Sequence, residues 1–112
     1  AGIVYHAGEN DMAYGPYRRE AAKWLQSTVA QSRLDLALPS LKWHVSQQPP
    51  PDEKGLNALD VTANLAALAA ADPAFIHLKA FNLPPQEEKL VITTEGIVQL
   101  GELLAKSYLE HK

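Results

Sequence analysis

Gly8-Glu9-Asn10-Asp11 is the densest cluster of chemically capable side chains in the sequence. Two carboxylates flank an amide, directly after the run Gly2-Ile3-Val4-Tyr5-His6-Ala7. An amide side chain can donate to a developing oxyanion. A carboxylate can take up a proton or orient a base. His6, at the end of the apolar run, is placed to touch substrate or to sit half-exposed. Asn and Asp also form tight turns readily, so a plain turn is the competing reading of the same four residues. A second group, Ser46-Gln47-Gln48, ends another apolar run, and Gln47 joins the candidates for lining a site.

The remaining candidates read more weakly. Four histidines are present, but none is paired at ligand spacing, and the chain has no cysteine, so no metal and no cofactor are expected. His77 alternates with Phe75, Lys79 and Phe81. It could act as a base with Asp72 upstream, but a structural strand histidine is the expectation, as for His44. Trp24 and Trp43 could stack sugar rings. Trp24 falls on an apolar helix face, which predicts core packing.

These residues need elements to hold them, and the hydrophobic pattern supplies strand-then-helix units. Strands are expected over residues 2–7, 41–46 and 75–81. Helices are expected over residues 16–32, 59–71 and 95–109. Pro16 suits a first helical turn. Tyr17, Ala21, Trp24, Leu25, Thr28 and Val29 make one face of the first helix. Asp72-Pro73 ends the second helix. Thr94 is the expected cap of the third. Its buried face should comprise Ile97, Leu100, Gly101, Leu104 and Tyr108, with close packing on the sheet as the reason for Gly101. The loop from Gln47 to Gly55 holds three prolines and breaks all periodicity. A second proline-bearing loop covers residues 82–89, and Leu90-Val91-Ile92 is a strand remnant or packed loop. Alternating strands and helices imply an α/β fold with a parallel sheet. Ser46-Gln47-Gln48 would then lie at the same sheet edge as Gly8-Glu9-Asn10, where ligands bind in open α/β sheets. A three-stranded unit would leave its first strand as an exposed apolar edge.

Length and charge narrow the classes. The chain of 112 residues suits one small domain, residues 1–112. Ten Lys and Arg against thirteen Asp and Glu give a formal net charge of −3, and the basic residues are scattered, so no nucleic-acid partner is expected. No apolar run is long enough to span a membrane, and no membrane partner is expected. No signal peptide is read at the start, and the compartment stays open.

The run Tyr5-His6-Ala7-Gly8-Glu9-Asn10-Asp11 resembles the W-Y-Q-G-E-N-D signature of the sialate O-acetylesterase and acetylxylan esterase branch of the SGNH (GDSL-like) hydrolases. The segment from Thr93 to Ala105 resembles that family's closing helix. Tyr17, Leu38-Pro39 and Ser46-Gln47-Gln48-Pro49 extend the likeness over most of the chain, matching the carboxyl-terminal half of a family domain.

The resemblance implies a flavodoxin-like three-layer αβα fold and serine-dependent deacetylation of acetylated sugars, with an acetylated saccharide as partner. It implies that Asn10 donates to the oxyanion and that Gly8 belongs to the same block. Glu9, Asp11, His6 and Gln47 would then face substrate. It further implies a missing amino-terminal half or a second chain, because no G-D-S or G-Q-S block occurs here. The family's base, in its D-x-x-H block, aligns with Val91, and its Gln before Gly-Glu aligns with Ala7. A catalytically inactive descendant, kept for saccharide binding or assembly, is the alternative those departures raise.

Overall fold

The computed structural model describes residues 1–7, 15–47, 60–79 and 93–111. Strands and helices alternate: β1 Gly2–Ala7, α1 Gly15–Asp35, β2 Lys42–Gln47, α2 Asp60–Ala71, β3 Phe75–Lys79 and α3 Thr94–Glu110. The strands form a parallel sheet in the order β1-β2-β3. Among the described residues β1 lies at one edge of the sheet, and Val4 on it is 56% exposed.

Side chains alternate across the sheet. Trp43, Val45 and Phe75 point to one face and meet Ala22, Leu25 and Val29 of α1 and Leu65 of α2. Each such side chain contributes on the order of 1.5–3 kcal/mol by leaving water. His44 and Ser46 point to the other face, where α3 packs. The result is three layers, helices over both faces of a parallel sheet.

Polar contacts pin the amino edge of the sheet. Arg33 of α1 donates from Nη1 to Asp72 Oδ2 at 2.6 Å and from Nε to the Leu41 carbonyl at 3.1 Å. Asp72 Oδ1 also accepts from the Ala74 N–H at 2.9 Å. Trp43 Nε1 donates to Ser32 Oγ at 3.1 Å, so the buried indole keeps a partner. α1 ends in a double-bonded cap. Leu38 N donates to Arg33 O and Ala37 N to Leu34 O, with Ala37 at φ 53° where glycine is usual.

Several expectations are corrected. α1 extends to Asp35 rather than Ser32, because that cap closes it three residues later. Gln47 belongs to β2 and not to the loop, because it pairs with both Ala7 and Lys79. β3 is described only to Lys79; Ala80, Phe81 and Leu90-Val91-Ile92 lie outside the described residues. Trp24 is 50% exposed, because the buried stripe of α1 is centred on Ala22, Leu25 and Val29, and Trp24 lies beside the open β1 edge.

The cap of α3 is Thr93, whose hydroxyl accepts from Gly96 N at 3.1 Å, rather than Thr94. Of the expected face of α3, Leu100 is buried and Leu104 half-buried, and the rest turns outward. Gly96, Leu100 and Ser107 are buried, while Ile97 is 59% exposed and Gly101 faces open space. The hydrogen bond between Ser107 Oγ and His44 Nδ1 holds Ser107 inward, and with nothing within 4 Å of a Cβ at Gly101, close packing does not explain that glycine.

Candidate functional site at the carboxyl edge of the sheet

Register decides what the strand ends bring together. His6 pairs with Ser46, and Ala7 pairs with Gln47. His6 and Ser46 therefore share one face at the carboxyl edge, the edge that presents ligand sites in open α/β sheets. His6 Nδ1 stands 2.8 Å from Ser46 Oγ. His6 is half-buried, and Ser46 has no exposed surface. A hydroxyl both donates and accepts, so the bond is compatible with either neutral tautomer of His6. Whichever holds, the bond orients the ring just before the chain leaves β1 toward Gly8.

Of the six residues singled out from the sequence, His6 has a described side chain at this edge. Gln47 is placed there by its backbone, one residue beyond Ser46. Gly8, Glu9, Asn10 and Asp11 lie outside the described residues, as does Val91. His77 pairs with Val45, which puts it on the opposite face of the sheet from His6 and Ser46. Asp72 precedes β3 at the amino edge and is bound to Arg33, so the structure does not bring His77 and Asp72 together as a base and its partner. Among the described residues, no group of three or more His, Asp or Glu is arranged to hold a metal ion. No described helix is long and apolar enough to cross a membrane.

The contact that residue reading missed is the hydroxyl of Ser46. Its partner lies forty positions away in sequence, and only the register of β1 on β2 reveals it. A second histidine–serine pair was missed for the same reason. His44 Nδ1 stands 2.8 Å from Ser107 Oγ, at 1% and 2% exposure. Burial, reinforced by the nearby charges of His111 and Lys42, holds the His44 imidazole below its ordinary value of 6.5.

The layers and the parallel order define a small three-layer α/β protein. A protein of Arabidopsis thaliana of known X-ray structure shares this fold with a TM-score of 0.72 and 25% identity. The likeness covers 97% of this chain and 44% of that one, so the chain spans less than half the length of its solved relative. The chain belongs to the carbohydrate esterase family of sialic acid-specific acetylesterases, which is matched over residues 1–110. Among curated proteins, none matches the sequence significantly.

Proposed function

We propose that this chain is the oxyanion-hole part of a serine-dependent carbohydrate acetylesterase of SGNH type, acting on an acetylated saccharide. The observation that carries the reading is the family match over residues 1–110, taken with the Gly8-Glu9-Asn10-Asp11 block that follows β1. The carboxyl edge of β1 and β2 supports it, because both strands end where such a block would serve a ligand.

In this reading the Asn10 amide donates to the oxyanion as the ester carbonyl becomes tetrahedral. Gly8 lets the backbone approach closely. Glu9, Asp11, His6 and Gln47 face the sugar, with His6 oriented by Ser46. The attacking serine comes from an amino-terminal half-domain or a second chain. That element would lie along β1, the first strand in the sheet order of the described residues, where Val4 is exposed. Residues 1–112 then act as one unit of the completed domain.

Acetate release from O-acetylated sugars by the full-length gene product tests this. Turnover that disappears when the attacking serine is replaced is expected. No turnover above that serine-less control would overturn the reading.

A second reading has its own observation: Val91 occupies the position of the family's base. In that reading the fold binds saccharide or assembles with a partner and does not hydrolyse. Saccharide binding without turnover, unchanged by Val91→His, is its expected outcome. Turnover by the wild type would exclude it.

A further inference from the structure

The amino edge of the sheet holds a polar cluster that the carboxyl-edge reading does not use. A cavity of about 310 Å3 lies between the starts of β1 and β2 and the last turn of α3. It is lined by Ala1, Ser40, Lys42, His44, Tyr108 and His111. Among the described residues the lining therefore offers the Lys42 ammonium, two imidazoles and two hydroxyls, and no carboxylate.

The hydrogen bonds fix how these groups can act. His111 Nδ1 is 2.8 Å from the Ser107 carbonyl. A carbonyl only accepts, so Nδ1 carries a hydrogen and Nε2 is the ring nitrogen left for a ligand. Lys42 Nζ donates to the His111 carbonyl. That contact covers the electronegative end of α3, and the ammonium keeps two more N–H groups. His44 Nε2 is buried without a partner, which is uncommon for a buried polar atom. Gly2 lies over it: a Cβ there would stand 3.5 Å from Nε2 and 3.5 Å from Tyr108 Cδ2. Burial first, and then the charges of His111 and Lys42, disfavours a charge on His44.

We propose that this pocket binds a small oxyanion, a carboxylate or phosphate group held by the Lys42 ammonium, the Tyr108 hydroxyl and the Nε2 side of the His111 ring, which donates when that nitrogen carries a hydrogen. Hydrogen bonds from charged donors to an anion are the strong kind, and a lining without acids lets them act unopposed. An anion seated there would face the imidazole whose Nε2 is otherwise unpaired.

Two titrations of the full chain test this, one with inorganic phosphate and one with acetate. Both are read on the histidine ring signals by NMR at about pH 6, where imidazoles are partly charged. Ionic strength is held constant with sodium chloride. Saturable shifts of His44 and His111, with His6 unmoved, are expected in at least one arm. The tighter arm identifies phosphate or carboxylate as the preferred group. Lys42→Met should weaken binding about tenfold or more. Tyr108→Phe removes a single oxygen and should weaken it less, and it decides the matter alone if Lys42→Met does not fold. Linear, unsaturated shifts in both arms would overturn the proposal. So would undiminished binding in Tyr108→Phe together with undiminished binding in any folded Lys42→Met.

Discussion

His6 and His44 face the same side of the same sheet, and each holds a serine hydroxyl 2.8 Å from Nδ1. His6 joins two strands at the carboxyl edge and is half-buried. His44 joins a strand to α3 near the amino edge and is 1% exposed. The same pair of side chains therefore serves two ends differently. Near the amino edge it fixes a helix on the sheet, with Arg33, Asp72 and Lys42 adding ties around it. At the carboxyl edge it orients a ring where the chain departs toward Gly8. The difference comes from what each serine is attached to: a helix that must dock, or a neighbouring strand that is already paired.

That contrast makes unequal mutational costs the first expectation. His44→Ala deletes a buried ring and strands the Ser107 hydroxyl, so it should cost roughly 2–4 kcal/mol. His6→Ala should cost about 1 kcal/mol or less, because a half-buried ring leaves little cavity. Urea unfolding of both variants measures the gap. Equal costs would remove the distinction between the two edges.

The amino-edge ion pair comes next. Arg33→Met leaves Asp72 without its guanidinium and the Leu41 carbonyl without its donor. The pair is only partly buried, so solvent screening limits the loss to about 1–2 kcal/mol by denaturant midpoint.

Acidity should also bear on the His44 contact. His44 has a folded value below 6.5 because burial, His111 and Lys42 resist its charging. Well above 6.5 both states keep it neutral and its contribution is complete. As pH falls below 6.5, the unfolded chain takes up a proton that the folded chain resists. Stability is therefore lost as pH falls toward and through the lowered folded value. Denaturant midpoints across that window should fall in the wild type and fall less steeply in His44→Gln. An equal slope in both would show that His44 does not set it.

The smallest expected effect is a gain. A Cβ at Gly101 meets nothing within 4 Å, so Gly101→Ala should stabilise α3 by up to about 1 kcal/mol. A loss on thermal unfolding would mean that Gly101 does pack closely after all.

The strand-helix alternation was legible because apolar spacing reports it directly, and the parallel order followed from it. Trp24 and the face of α3 were not legible. Hydrophobic spacing marks Ile97 and Tyr108 as core candidates, yet Ser107 is the residue turned inward. A polar residue buried by one long-range hydrogen bond leaves no periodic trace. The same limit hid Ser46 behind His6. The family was legible in the residue types and order of the segment after β1, and the match over residues 1–110 shows that family. No spacing rule could bind Asp72 to Arg33 at the amino edge or put His77 on the face opposite His6, because both depend on where β3 starts and how it pairs.

The central claim is that the carboxyl edge works on substrate while the amino edge holds the fold. Acetate release from an O-acetylated sugar by the full-length gene product, compared between wild type and Asn10→Ala, tests it most directly. The account predicts a fall in kcat of about 10²–10³, on the order of 2.7–4 kcal/mol, with the unfolding midpoint unchanged. An unchanged kcat, or a loss explained wholly by unfolding, would contradict it.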